Sequence, residues 1–336
     1  VIARTFYAWE RRLSSVDTNR VVRPFEWGLD WIDLDGTTAD PAAALKIWGA
    51  GVLARSEQFY SPPPTRAFDF DGQLLQFPSA LTSPHPENNV VRARLFPGRR
   101  KPGQQRRAVI VLPQWNAKEQ ELVGLCRLFA SFGITALRIT LPYHSVRRPP
   151  ELERADYIVS SNIGRTLHAN RQAVLDIRRA VDWLEAEGYE RIGVQGTSLG
   201  SCLGALAMAH DVRIVSGAFN HVSPYFADVV WRGISTRHVR AGLEGHVTLD
   251  TLRDCWMSIS PWPYIDRIKD RPMLNLYARY DLTFPVDLSR HYLEELNRRR
   301  IATDNRLLPC GHYTSGKAPF KFLVGYHLTR FLIRNL

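Results

Sequence analysis

The sequence predicts an α/β fold: a mostly parallel central sheet of about eight strands with helices on both faces. A helical N-terminal extension precedes it and an inserted cap interrupts it. Three observations predict this. Strand-like and helix-like apolar patterns alternate from about residue 108 to the C-terminus. The run Ala108-Val109-Ile110-Val111-Leu112 is continuously apolar, as a strand covered on both faces must be. Ser198, Asp281 and His312 each stand just beyond a strand-like segment, on the edge where such sheets bind ligands.

Taken in order, residues 1–64 read as helical pieces rich in aromatics. Asp40-Pro41 looks like a helix start, with a helix over Ala42–Phe59 that Ser61-Pro62-Pro63-Pro64 stops. Arg66–Phe77 and Val90–Phe96 alternate as antiparallel edge strands. After Ala108–Leu112 come a helix carrying Leu122, Leu125, Leu128 and Phe129, and a strand over Ile134–Leu141. Leu167, Val174, Ile177, Val181 and Leu184, spaced 7, 3, 4 and 3, form one face of a long helix that Gly188 ends. A strand over Arg191–Gln195, a helix over Ser201–His210 and strands over Arg213–Phe219 and Met273–Ala278 follow. Val286–Arg300 reads as a helix, Arg306–Leu308 as a short strand and Pro319–Leu336 as the last helix. Residues 221–270 break the alternation: they hold Tyr225, Trp231, Trp256, Trp262 and Tyr264, several prolines and no clear strand. This interval is expected to be the cap, within a main domain spanning 65–336.

Composition narrows the class. Apolar residues make up 45% and charged residues 23% of 336, the mix of a globular chain with a large core. The net charge of +11 admits anionic partners, but the dense clusters, Arg99-Arg100-Lys101 with Arg106-Arg107 and Arg298-Arg299-Arg300, accompany no nucleic-acid motif and read as solvated surface. No nucleic-acid partner is expected. Cys126, Cys202, Cys255 and Cys310 form no C-x-x-C pair, so neither a zinc site nor a redox dithiol is signalled, and Cys126 and Cys202 read as small core residues. No apolar run approaches the ~20 residues of a membrane span. The cytoplasm is favoured slightly, with export left open because the chain begins at Val1.

Gly196-Thr197-Ser198-Leu199-Gly200 lies directly between a strand and a helix. The pattern alone arises by chance in about one chain of this length in ten, so its placement carries the argument. At such a turn the chain reverses sharply, and glycines at both flanks remove side chains that would collide. The serine hydroxyl is lifted into the site at a helix N-terminus, where the dipole favours a developing anion. Gly200, Ser201, Gly204 and Ala205 keep that helix slim against the sheet. A serine needs a base to take its proton. Asp281, in Tyr277-Ala278-Arg279-Tyr280-Asp281-Leu282-Thr283-Phe284-Pro285, and His312, in Pro309-Cys310-Gly311-His312, follow in the order Ser, Asp, His.

On these three motifs, over residues 65–336, the chain resembles the α/β-hydrolase superfamily, and within it the dienelactone-hydrolase and esterase branches. The resemblance implies Ser198 as nucleophile, His312 as general base and then acid, and Asp281 as the residue that orients His312 and stabilises its imidazolium. Asp287 and Asp304 are weaker acids for that role, one at a helix start and one in a loop. Two N–H donors should hold the oxyanion. One is Leu199. The second should come from Pro113-Gln114-Trp115-Asn116, where the chain departs from the family's His-Gly stretch. Pro113 has no N–H, so Trp115 or Gln114 is expected to serve.

Tyr143, His144, His221, Trp231 and Trp256 are candidates to line the substrate site. Arg147 and Arg148 would suit an anionic substrate but read as exposed. His238 and His246 flank Glu244 without zinc spacing, so no metal ligand is assigned. The expected activity is hydrolysis of a small-molecule carboxylic ester through an acyl-enzyme, with no cofactor; the aromatic cap suggests an apolar or aromatic substrate moiety. A serine peptidase, an acyltransferase and a non-catalytic binding protein are the alternatives, and the oligomeric state is left open.

Overall fold

The computed structural model of the chain describes residues 2–99 and 102–336; Arg100 and Lys101 of the basic stretch lie outside the described residues. The N-terminal part holds α1 (Ile2–Ser14), α2 (Pro41–Ala54) and the single turn α3 (Ser56–Phe59). Asp40 caps α2 as expected, its carboxylate accepting the Ala43 N–H at 3.0 Å. The expected continuous helix to Phe59 breaks at Arg55, which leaves helical backbone at φ −123°, ψ 33°.

Next come β1 (Asp69–Phe70), β2 (Leu74–Pro78), β3 (Val90–Phe96), β4 (Arg107–Leu112), α4 (Val123–Ser131) and β5 (Thr135–Ile139). The segment Arg66–Phe77 is thus a hairpin and not one strand. Asp71 takes the N–H groups of Gln73 and Leu74 at 2.8 and 2.7 Å, and Gly72 sits at φ +95°, so the Asp-Gly pair turns the chain. Then follow α5 (Ile163–Ala186), β6 (Arg191–Thr197), α6 (Leu199–His210) and β7 (Ile214–Asn220). Three short helices, α7 (Phe226–Arg232), α8 (Arg237–Leu243) and α9 (Leu249–Trp256), fill most of the stretch before β8 (Met273–Ala278), where the aromatic interval lies. The chain closes with α10 (Val286–Arg298), β9 (Asp304–Leu308) and α11 (Phe320–Asn335).

Among the described residues the strands form one nine-stranded sheet in the order β1-β2-β3-β5-β4-β6-β7-β8-β9. The two-residue β1 is the strand beyond the expected eight. Pairings up to β3–β5 are antiparallel and all later ones parallel. Every residue of β5 is buried, as is every residue of β4 after Arg107. The whole of α6 is buried too, which its run of small residues permits.

The register aligns the carboxyl ends. Leu112 stands opposite Gly196, Thr197 opposite Asn220 and Ala278 opposite Leu308. The turns that follow these strands therefore meet along one edge, and Ser198, His221, Asp281 and His312 lie on them. No helix among the described residues is long and apolar enough to cross a membrane.

Candidate active site

Ser198 sits between β6 and α6 at φ 57°, ψ −119°, a backbone conformation that costs a non-glycine residue of order 1–3 kcal/mol. The neighbouring glycines make it possible. A Cβ on Gly196 would lie 2.3 Å from the Gly200 carbonyl oxygen, and one on Gly200 would lie 2.3 Å from that of Leu112. The second clash shows how closely the end of β4 approaches the turn. The Ser198 N–H is tied to the Asn220 carbonyl at 2.8 Å. Ser201 Oγ donates to that same carbonyl at 2.8 Å and so is spent on structure.

The three residues drawn from separate motifs meet. His312 Nε2 is 3.0 Å from Ser198 Oγ, and His312 Nδ1 is 3.0 Å from Asp281 Oδ2. The other carboxylate oxygen of Asp281 accepts the backbone N–H groups of Thr283 and Phe284 at 2.8 and 2.7 Å. Burial alone would raise the Asp281 pKa, but the facing His312 and His221 hold it well below the usual carboxylate range. The acid is thus ionised and oriented. Phe284 stacks on His312 with ring centroids 5.2 Å apart. Cys202, Val229, Phe284 and Leu288 form a small apolar cluster beside it.

His221 was expected to line the substrate site. It is instead buried behind the relay, at φ 63°, with Nδ1 2.9 Å from Asp281 Oδ2 but off the line of a hydrogen bond. Its Nε2 is 3.1 Å from Ser315 Oγ, which donates to the His312 carbonyl at 2.6 Å. Burial and the neighbouring His312 lower the His221 pKa, against the pull of Asp281. His221, Asp281 and His312 bring ligand-type atoms within 4.8 Å of one another. The two Nδ1 atoms approach the same Asp281 oxygen, at 2.9 Å from His221 and 3.0 Å from His312, and only the His312 contact has hydrogen-bond geometry.

Leu199 opens α6, so its N–H has no intrahelical acceptor. In the turn after β4, the indole N–H of Trp115 goes to the Ala155 carbonyl at 2.8 Å and the Gln114 side chain to Glu121 at 2.6 Å. The backbone N–H groups of Gln114 and Trp115 find no acceptor among the described residues. Asn116 is committed: its N–H donates to His144 Nε2 at 3.0 Å, while His144 Nδ1 lies 2.9 Å from the Pro142 carbonyl. Burial pushes the His144 pKa down to about 4, so the ring is neutral and its Nε2 is free to accept. His144 therefore braces this turn, buried beneath it.

Other expectations change as well. Tyr143 is fully buried, its N–H bonded to Asn88 Oδ1 at 3.0 Å. Trp256 is a core residue whose indole N–H points at the Ile163 carbonyl, because α9 packs its apolar face onto α2 and α7. Trp231 packs against the main core with the Arg240 guanidinium over its ring. Arg148 is exposed as expected, but Arg147 is fully buried, paired with Asp176 at 2.9 Å and bonded to the Asn88 and Thr140 carbonyls. His238 and His246 do not converge on Glu244: His238 stacks on Trp115 and His246 on Phe25. All four cysteines are free and buried.

One residue at the site was missed from sequence. Glu10, on α1, is fully buried, and its two carboxylate oxygens accept the N–H groups of Tyr313 and Thr314 at 2.9 and 2.8 Å. A Cβ on Gly311 would fall 2.3 Å from the Glu10 carboxyl carbon, so Gly311 exists to admit it. Phe6, one turn earlier, stacks on Tyr280 at 4.6 Å, next to Asp281. The signal was an acid in helical register with Phe6 and Leu13 on an otherwise apolar face. A cleft of about 1000 Å³ near Asp270–Leu274 and one of about 660 Å³ near Asp30–Asp33 are not lined by Ser198, Asp281 or His312. Ser198 itself is only 7% exposed.

No protein-family model and no curated protein matches the sequence. Solved structures do match. An acylaminoacyl peptidase from Pyrococcus horikoshii superposes with TM-score 0.60 at 15% identity, over 81% of this chain and 42% of that one. An esterase from Pyrococcus furiosus gives TM-score 0.54 at 15% identity, over 82% and 98%. A puromycin-hydrolysing peptidase from Mycobacterium tuberculosis gives 0.57 at 16%, over 74% and 37%. This chain thus spans less than half of either peptidase but nearly all of the esterase. With the sheet order above, these likenesses define an α/β-hydrolase fold.

Proposed function

We propose that the protein is a serine hydrolase that cleaves a carboxylic ester through an acyl-enzyme. The observation that carries this reading is the unbroken relay from Ser198 Oγ through His312 to Asp281, 3.0 Å at each link. Ser198 Oγ attacks the carbonyl carbon while His312 Nε2 takes its proton. The charge on the carbonyl oxygen is held by the Leu199 N–H and by the N–H of Gln114 or Trp115. On collapse His312 returns the proton to the departing alcohol, leaving the acyl group on Ser198. Water, deprotonated by the same nitrogen, then releases the acid. Asp281 stays ionised throughout and keeps the imidazolium from drifting. The group Cys202, Val229, Phe284 and Leu288 offers a short apolar wall for the acyl chain.

The segment 221–270 acts as the cap in this reading, and α1 with the arm after it closes the other side. The burial of Ser198 supports a narrow entrance and a selective substrate. An ester is favoured over a peptide because the likeness spans nearly the whole of an esterase but only a fraction of the two peptidases. The test is initial rates on p-nitrophenyl acyl esters from acetate upward, beside an acylaminoacyl p-nitroanilide, for wild type and Ser198→Ala. Ester turnover lost in the mutant supports the reading. Turnover of the anilide alone replaces ester by peptide, and ester turnover that survives in the mutant removes Ser198 from the mechanism.

A further inference from the structure

Between the turn that carries Trp115 and the loop that carries His312 lies a group of charges for which the ester reaction has no use. Arg20 Nη2 donates to the Tyr313 hydroxyl at 3.2 Å, one residue from His312. The Arg154 guanidinium lies over the Trp115 indole, 5.4 Å from its centroid, and His238 stacks on that indole at 5.6 Å. Arg23 joins through Asp156, 3.5 Å away. The cluster therefore touches both the turn expected to hold the oxyanion and the loop that holds the base.

Its charges do not balance. Asp17 serves Arg20 at 3.4 Å and Arg154 at 3.2 Å. Asp156 serves Arg154 and Arg23, each at 3.5 Å. Three guanidinium groups thus share two carboxylates. Burial also raises the Asp156 pKa, against the pull of Arg154 and Arg23, which weakens it as a counter-charge. The donors are not satisfied either. The Nε of Arg20 and both ring nitrogens of His238 are shielded from solvent without a hydrogen-bond partner among the described residues, while the Nε atoms of Arg23 and Arg154 face only Asp156, at a long 3.5 Å. Arg154 and His238 are themselves buried, at 6% and 7% exposure. Ion pairs that merely fasten the N-terminal arm to the 154–156 loop explain the carboxylate contacts. They leave the surplus charge and the unpaired nitrogens of Arg20 and His238 without a purpose, beside the turn that carries Trp115 and the loop that carries His312.

An ionised oxyacid supplies what is lacking: negative charge, several acceptor lone pairs and no donor. We propose that Arg20, Arg23, Arg154 and His238 form an anion subsite, and that the substrate carries a carboxylate or phosphate group close to its scissile carbonyl. The inference rests on the hydrolase reading for the role of the anion, but the binding itself does not. Desolvation by burial, then Arg154, Arg20 and Arg23, keep His238 neutral, with its pKa down at about 4. A bound anion works against that cationic field.

Two measurements on the full chain test it. First, glutarate and inorganic phosphate are titrated separately into Ser198→Ala by calorimetry, and again into Ser198→Ala with Arg20→Gln or Arg23→Gln. Binding of either probe that weakens at least tenfold in both arginine variants supports the subsite, and the tighter probe identifies carboxylate or phosphate as its ligand. Second, kcat/KM is compared for p-nitrophenyl butyrate and the mono-p-nitrophenyl ester of glutaric acid. Wild type should favour the anionic ester at least tenfold, and that ratio should collapse in Arg23→Gln. Probe binding without turnover of either ester keeps the subsite and removes the ester reading. Ester turnover with a ratio near one and no probe binding overturns the subsite and leaves the hydrolase standing.

Discussion

The substitution Glu10→Gln separates a site helper from a distant anchor. Glu10 belongs to a helix about 300 residues from His312 in sequence, yet both its oxygens are spent on the backbone immediately after that histidine. Glutamine keeps the shape and replaces one acceptor oxygen by an NH₂ group facing a buried N–H. One charge-assisted hydrogen bond is lost, worth about 1.5–3 kcal/mol, and the orphaned donor adds about 1–3 kcal/mol, less what relaxation recovers. A net cost of about 2–4 kcal/mol is expected. If the His312 loop bears it in the functioning state, kcat falls by about 30-fold or more, since about 1.4 kcal/mol is tenfold. Lost placement of the base acts on the chemical step, so KM should change much less. The assay is kcat and KM on the best ester of the panel, with Tm and far-UV circular dichroism as controls. Glu10→Asp, which keeps the charge on a shorter stem, should recover part of kcat. A lowered Tm with kcat within twofold of wild type would refute the argument and make Glu10 a stability anchor alone.

Four further outcomes are expected. Ser198→Ala should abolish turnover, whereas Ser201→Ala should lose about 1 kcal/mol of stability with its bond to Asn220 and keep activity within a few-fold; steady-state rates with urea melts check both. His221→Phe removes a ring whose Nδ1 lies 2.9 Å from Asp281 Oδ2, so steady-state kcat should fall. An unchanged kcat would exclude His221 from the relay. Gly200→Ala should cost about 3 kcal/mol or fail to fold, because its Cβ would collide with the Leu112 carbonyl; wild-type melting would contradict that packing. His144 makes stability depend on pH: the unfolded ring takes a proton below its ordinary 6.5, the folded one only below about 4. Between these values the unfolded state holds more protons, so the contribution is complete above about pH 6.5 and is lost as pH falls toward 4, by about 3 kcal/mol. Urea midpoints at pH 7 and pH 5 should differ more for wild type than for His144→Gln, and equal differences would rule this out.

Much of the fold was legible from local signals. A strand covered on both faces must be apolar throughout, and a helix on a sheet must carry a stripe at helical spacing; hence β4, α5 and β8 fall where expected. The hairpin of β1 and β2 was missed although its Asp-Gly turn stands in the sequence, because alternation on both sides of the turn masked the reversal. Arg147 was misjudged for a different reason. A lone arginine looks exposed until Asp176, 29 residues on, is folded beside it.

Local chemistry let the sequence by itself determine the alternation of elements, the sharp turn at Ser198 and the order Ser198, Asp281, His312 along one sheet edge. The first two depend on backbone geometry or on neighbours a few residues apart, and the third rests on the resemblance to the α/β-hydrolase superfamily. Only the tertiary structure decided that Asp281 faces two histidines, that His144 braces the turn after β4, and that Glu10 and Arg20 of the N-terminal part meet the His312 loop. Those contacts join segments separated by 28 to about 300 residues. They follow from how the register of the sheet stacks its loops, which no local periodicity encodes.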